Sequence, residues 1–294
     1  MSAAPLKLAI FGAHGPFGDT LLEVLAESPV SVDEIFALAA DEDGSVVTFR
    51  GEDTIIEAAA GFDWSQASVA VFAGSRDEMK QYAPAAKAAG CRLLDATAPL
   101  ASFAVLARPL AALNGLSIAR AHATLMESAS SQGQGGVDTL SRQTRALFAN
   151  AEIENGAFAK RLAFNLFPLP QQQSEHIRNV VNQQLGAPLL DSVQRVQVPL
   201  FFGHGATLAV RLIQETSKEA VIAALRASSG LFVLDAEGPA GIATPQDVIG
   251  ADLVWISQVE VSADGKTVTL WAVVDNARLG AMAVVAELLG AARH

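Results

Sequence analysis

The 294-residue chain contains a single cysteine, Cys91. One thiol excludes an intramolecular disulfide framework and a cysteine-built metal cluster. The five histidines are scattered, with no pair at metal-ligand spacing, so no metal is expected. Basic residues are also scarce: 20 Lys and Arg against 31 Asp and Glu leave a formal charge of −11. That balance argues against a nucleic-acid surface, which needs clustered cations. Aromatics make up only 6% of the residues while 51% are hydrophobic, which suits an α/β core of Ala, Val and Leu. No apolar run approaches the roughly 18 residues that span a bilayer. The first apolar stretch, LKLAIFG, is too short for a signal segment and runs straight into a glycine-rich loop. A cytoplasmic protein with no membrane or nucleic-acid partner is the expectation.

What is present is an alternation of strand and helix patterns over the first 97 residues. LKLAIFG, EIFALAA, ASVAVFAG and CRLLDAT read as buried strands; GPFGDTLLEVLAES and RDEMKQYAPAAKAAG read as helices, the second with Gly90 just past its end. SVVTFRGEDTIIEAA reads as an excursion at a sheet edge. This alternation implies a parallel, doubly wound sheet of the Rossmann type. The pattern then changes to a second, α+β domain with antiparallel sheet. There LSIARAHATLMES, RLAFNLF and two stretches flanking FGHG read as strands, and SSQGQGGV as a polar loop leading into the helix DTLSRQTRALFAN. TSKEAVIAALRASSG reads as a helix opened by a Thr216–Glu219 capping box. Asp264-Gly265 sits at the turn of a hairpin in which Trp255 and Trp271 are expected to face each other as core residues. The expected organisation is 1–105 plus 276–294 for the dinucleotide-type domain and 106–275 for a dimerisation domain. Its apolar strands, including LFVLDA and DLVWISQVEV, are more than one layer of helices readily covers, which points to a homodimer; the other reading is that both faces are covered within the chain.

Between the first strand and first helix lies GAHGPFG, with Gly12, Gly15 and Gly18 spaced G-x-x-G-x-x-G. Glycines there permit a tight turn, close approach of backbone to a pyrophosphate, and helix–sheet packing, and the helix N-terminus offers free N–H groups. Gly12, His14, Gly15, Pro16, Phe17 and Gly18 are therefore candidate cofactor-binding residues. The plainer reading is a βα turn that needs glycine for its backbone alone. After the second strand come Asp41, Glu42 and Asp43, with no base nearby. Acids there suit ribose hydroxyls and repel a 2′-phosphate, so NAD is expected over NADP, or no dinucleotide at all. A solvated acidic loop would read the same.

Four stretches together resemble the aspartate-semialdehyde dehydrogenase family: GAHGPFG its glycine loop, FAGSRDEMKQYAPAAKAAGCRLLDATAPL its strand-helix-strand segment, QVPLFFGHGATLAV the surroundings of its active-site histidine, and LWAVVDNARLGAMAVVAELL its C-terminal DN-x-R-x-GA helix. The resemblance implies a dinucleotide domain completed by the C-terminal helix, a dimerisation domain inserted between, and NADP-linked, phosphate-dependent chemistry on aspartyl phosphate through a cysteine thioester. It also places the working residues. The family's nucleophile stands in an N-x-x-C-[ST] motif; this chain has none, and Ala98 falls near that position. Cys91 reads instead as a small buried hydrophobe. The family's glutamine corresponds to Met126, or to Glu127 with a one-residue shift. The arginine that grips the substrate carboxylate, seven before the histidine, is Gln197 here. The helical Glu and Lys correspond to Gln173 and His176. Only His204, the family's acid/base, is kept; it lines a ligand pocket or serves a turn. Asn276 and Arg278 fall where the family has the nicotinamide end, or else simply open a helix.

Those losses make the chain similar to the usg-type paralogues, which lack the catalytic cysteine. Three functions stay open: a catalytically inactive paralogue that binds a small molecule or nucleotide, or assembles; an NAD-dependent oxidoreductase acting on an aldehyde or oxo group in amino-acid biosynthesis, with His204 as acid/base; and a subunit that pairs with an active dehydrogenase.

Overall fold

The computed structural model describes residues 5–41, 44–97 and 99–291. The expectations for Glu42, Asp43 and Ala98 lie outside these. Two compact units divide the chain, 1–100 with 280–294, and 101–279.

In the first unit, β1 (Leu6–Phe11), α1 (Pro16–Glu27), β2 (Val32–Ala39), the hairpin β3 (Val46–Phe49) and β4 (Glu52–Ile55), β5 (Glu57–Ala58), β6 (Val69–Phe72), α2 (Arg76–Ala88) and β7 (Arg92–Asp95) follow in order. The main sheet runs β5-β2-β1-β6-β7 and every pairing in it is parallel. Continuous apolar sequence makes both faces of β1 and β6 bury. Leu8, Ile10, Val69 and Val71 pack on one side with Leu21 and Leu25 of α1. Ala9, Phe11, Ala70 and Phe72 pack on the other with Tyr82 and Ala86 of α2. Each fully buried Leu or Val contributes about 1.5–3 kcal/mol. Successive strands leave β1 in opposite directions, so the β1–α1 turn sits at a topological switch point of the sheet. Gly90, at φ 93°, ends α2 as expected.

The second unit begins within α3 (Leu100–Leu113). It continues with β8 (Ile118–Glu127), α4 (Gly133–Phe148), β9 (Phe167–Pro168), α5 (Gln171–Leu185), β10 (Leu190–Gln197), β11 (His204–Leu212), α6 (Lys218–Arg226), β12 (Leu231–Val233), β13 (Val254–Val261) and β14 (Thr267–Val274). Helix α7 (Asn276–Ala291) starts here, but its body belongs to the first unit, where Ala281, Val284, Val285 and Leu288 join the cluster around β1. The seven strands order β12-β13-β14-β11-β8-β10-β9.

This sheet is mixed rather than antiparallel. β10 runs parallel to β8, and β12 parallel to β13. The chain leaves β8 through α4 and α5 before returning as β10, a crossover long enough to make neighbours parallel. Other local expectations also change. The glycine loop after β8 is not extended coil: a 3₁₀ turn over Ala129–Gln132 leads directly into α4, which starts at Gly133. Gly136 lies so close to the Ala129 carbonyl that a Cβ would be 2.2 Å from its oxygen. The strand expected in RLAFNLF shrinks to Phe167–Pro168, because Phe164 takes a left-handed φ of 54° and breaks it. Helix α6 is capped by Ser217, whose side chain accepts from the Ala220 N–H, not by Thr216. Trp255 lies opposite Val273 and Trp271 opposite Ser257, so the two indoles share a face but are two residues out of register.

Candidate functional site

The glycine loop owes its residue types to packing. Gly12 has φ 79°, and a Cβ on it would sit 2.6 Å from the Gly74 nitrogen. Gly15 has φ 110°. A Cβ on Gly18 would lie 2.3 Å from the Gly12 carbonyl oxygen. Pro16 occupies the first turn of α1, where its missing N–H removes no helical bond, and no side chain caps that end of the helix. The remaining first-turn N–H groups and the helix dipole make a surface suited to an anion. Phe17 packs against Gly280 of α7. His14 is exposed, 3.6 Å from the Asp19 carboxylate, and Asp41, just beyond β2, is exposed too.

In the second unit the residues around His204 form a compact polar cluster. His204 opens β11 and is 4% exposed. Its Nδ1 accepts from the Ser128 N–H at 3.3 Å, with Ser128 Oγ also at 3.3 Å. An Nδ1 that accepts leaves the proton of the neutral ring on Nε2. Burial pushes the His204 pKa below its ordinary value; the nearby Glu127 and Asp275 carboxylates act against that, and Arg195 adds to it.

The linkage sign follows from the depressed value. Below about pH 6.5, the ordinary histidine value, the unfolded chain takes up a proton that folded His204 resists. His204 therefore favours the fold fully above that pH, and this contribution is lost as the pH falls towards the folded value. Urea-unfolding midpoints measured from about pH 7.5 down to pH 5 should fall less steeply for His204→Asn than for the parent protein. Equal slopes would show that His204 does not stay neutral in the fold.

The sequence left Met126 and Glu127 as alternatives. Met126 lies on the opposite face from the buried Glu127, which stands opposite Gln197 in the parallel register of β8 and β10. Gln197 is fully buried, and its Nε2 donates to the Glu127 and Ser128 carbonyls at 2.8 and 3.0 Å. Arg195, one pleat earlier on the same face, meets Glu127 side-on: Nε to Oε1 at 2.7 Å and Nη2 to Oε2 at 2.6 Å. Its Nη1 donates to Gln173 Oε1. Thus Gln173 joins this cluster, whereas His176 stands edge-on to Phe103 with ring centroids 6.0 Å apart. Asn276 Oδ1 accepts from the Gly203 N–H at 3.0 Å, and its Nδ2 donates to Ser130 Oγ at 3.1 Å. Asp275, not Asn276, caps α7, accepting from the N–H groups of Ala277 and Arg278. Arg278 pairs with Asp252.

Ser128, Ser130 and Arg195 are the residues that sequence reasoning missed. One signal was present for Arg195. In LDSVQRVQ the inward positions of the strand are Val193, Arg195 and Gln197. An inward arginine requires a buried acid.

Cys91 belongs to the first unit. It precedes β7, buried, with Sγ 3.1 Å from the Trp64 carbonyl oxygen and 3.3 Å from that of Ala67. Burial pushes its thiol pKa up, so the thiolate is disfavoured. No group of three or more metal-ligating side chains occurs among the described residues, and no helix among them is long and apolar enough to cross a membrane.

A parallel, doubly wound sheet with a glycine turn at its switch point, joined to a mixed-sheet unit, defines a two-domain α/β protein of the dinucleotide-binding type. Family comparison makes this specific. Residues 7–106 match the semialdehyde dehydrogenase NAD-binding domain and residues 108–279 match the semialdehyde dehydrogenase dimerisation domain. The chain belongs to the semialdehyde dehydrogenase family. It is 29% identical to aspartate-semialdehyde dehydrogenase 2 of Vibrio cholerae serotype O1, over 96% of this chain and 97% of that protein. It is also 29% identical to the USG-1 protein homolog of Azotobacter vinelandii, over 94% of each. Among solved structures it is similar to the aspartate semialdehyde dehydrogenase II of Vibrio cholerae complexed with ASA, with a TM-score of 0.83, 25% identity and 98% of each chain covered. A probable aspartate-semialdehyde dehydrogenase from Pseudomonas aeruginosa gives a TM-score of 0.84 at 27% identity, over 97% of each chain.

Proposed function

We propose that this chain is a dinucleotide-binding, homodimeric member of the family that does not carry out thioester chemistry. The nature of its one thiol carries the reading. Acyl transfer through sulfur needs a thiolate within reach of an acid/base. Cys91 is packed against two carbonyls of the first unit. The groups that act on His204 include Ser128, through hydrogen bonds, and Glu127, Arg195 and Asp275, through their charges. The group that hydrogen-bonds to His204 is the Ser128 hydroxyl, which forms no thioester.

The glycine loop supports retained nucleotide binding. Gly12 and Gly18 allow the turn to pack tightly, and the N-terminus of α1 at its end lacks a side-chain cap. Gly12, His14, Gly15, Pro16, Phe17 and Gly18 would hold the pyrophosphate, Asp41 would take the ribose hydroxyls, and Asn276 is the candidate for the nicotinamide end. A carboxylate at Asp41 favours NAD over NADP. When bound, such a cofactor supplies a hydride acceptor or donor.

One observation favours a second reading, an oxidoreductase acting on an aldehyde or oxo group. A neutral His204 with its proton on Nε2 could donate a hydrogen bond to a substrate carbonyl oxygen and so stabilise negative charge there during a hydride transfer, with no covalent intermediate.

Support for the homodimer comes from the sheet of the second unit. Helix α5 packs on β10 and α6 on β12 and β13. His122, Thr124, Gln194, Thr207 and Thr269 line the other face, around a concavity of about 590 Å³. A second copy is the partner proposed for it.

Calorimetric titration with NAD and, separately, NADP tests the nucleotide part. Binding of NAD with NADP at least about tenfold weaker is the expected result, a difference of about 1.4 kcal/mol. Equal affinity would remove the role given to Asp41, and heat from neither would reduce the glycine loop to a structural turn.

A further inference from the structure

The pair between Arg195 and Glu127 has the geometry by which proteins hold a ligand carboxylate. Nε and Nη2 of the guanidinium each donate to a different carboxylate oxygen, at 2.7 and 2.6 Å, the bidentate pattern of such pairs. Gln173 takes a third N–H of the guanidinium. The side chains of Arg195 and Glu127 are only 6% and 2% exposed. Gln173, Gln197 and Ser128 beside them are uncharged, and Asp275 is a further carboxylate felt at His204. Every element of a carboxylate receptor is therefore present, and the carboxylate in it belongs to the chain itself. Glu127 arrives from β8, fixed opposite Gln197 by strand register. It thus meets Arg195 without the loss of translational freedom that a free carboxylate bears on binding.

We propose that Arg195 is a carboxylate receptor kept occupied by Glu127, and that Glu127 thereby determines specificity at the site beside His204, which admits ligands without a free carboxylate. The exclusion rests on the reading that the His204 site takes a ligand; the receptor does not rest on it. Glu127 is a specificity-determining residue and carries out no chemistry in this account.

The test vacates the receptor and offers it acetate, which supplies the atoms that Glu127→Ala removes beyond Cβ. Thermal unfolding is followed without nucleotide, so the outcome is independent of whether NAD binds. Leaving Arg195 buried without its partner should lower the melting temperature by about 10 °C. Acetate at about 100 mM should then raise it by about 3–6 °C more than chloride of equal ionic strength, the shift given by a site with a dissociation constant of about 10 mM. The wild-type protein and the double variant Glu127→Ala/Arg195→Met should show no acetate-specific gain, the first because its receptor is occupied, the second because it has none. Should Glu127→Ala fail to accumulate folded, refolding yield in acetate against chloride is the readout, with a higher yield in acetate expected. Acetate no better than chloride, or an equal acetate gain in the wild type or the double variant, overturns the proposal.

Discussion

Gly18→Ala should destabilise the protein by about 3 kcal/mol and abolish NAD binding at concentrations that saturate the parent. The added Cβ would lie 2.3 Å from the Gly12 carbonyl oxygen and 2.4 Å from the Ala13 carbonyl carbon, and both are backbone. No side-chain rotation relieves that contact. Either α1 moves away from β1 or the turn opens, and each change disturbs the N–H groups to which the pyrophosphate is assigned. Packing suffers as well, because Leu21 and Leu25 of α1 belong to the cluster on this face of the sheet. Gly61→Ala is the matched control: nothing lies within 4 Å of a Cβ there, and the residue is exposed. Urea unfolding of both variants, with NAD calorimetry on each, separates the two effects. A folded Gly18→Ala with parental stability and unchanged NAD affinity would contradict the role given to this loop.

The first unit was largely legible because its signals are local. β1 is apolar on both faces and ends in a glycine turn, so strand, loop and helix follow within 27 residues. Helix α7 was legible from the likeness of LWAVVDNARLGAMAVVAELL to the family's C-terminal helix, and Gly90 from its place after α2. The heart of the candidate site was not legible. Glu127 and Arg195 are 68 residues apart, and nothing near either one announces the other. They meet because β8 and β10 are parallel, a pairing set by a crossover whose course no local pattern fixes. The same fact explains why Met126 and Glu127 could not be told apart beforehand. A shift of one residue moves a side chain to the other face of the sheet, and only the register settles which face is inside. Phe164 shows a different limit. RLAFNLF carries strand composition, yet a left-handed φ at Phe164 and the Asn165 N–H bond to the Leu162 carbonyl turn the chain there. Ser217 displaced Thr216 as a cap by one position, within the ordinary uncertainty of a helix end.

The second large effect concerns turnover. A thioester dehydrogenase needs three things together: an accessible thiolate, an acid/base beside it and a free cationic grip for the substrate. Here the thiol is buried with a raised pKa. His204 has the Ser128 N–H and hydroxyl at hydrogen-bonding distance. Arg195 is engaged by Glu127. Residues that act as a unit lose their combined effect when one is missing; the proposed inactivity rests on the buried thiol and the engaged arginine.

The most direct measurement is therefore a spectrophotometric assay of the purified protein with aspartate semialdehyde, phosphate and either NAD or NADP, run beside Cys91→Ser. Enzymes typically turn over at about 1–10³ s⁻¹. No reduced nucleotide above the protein-free blank is expected from either protein, at least about 10⁴-fold below that range. Steady turnover by the parent that Cys91→Ser abolishes would contradict it, because it would return the thioester chemistry to the one thiol that the structure buries.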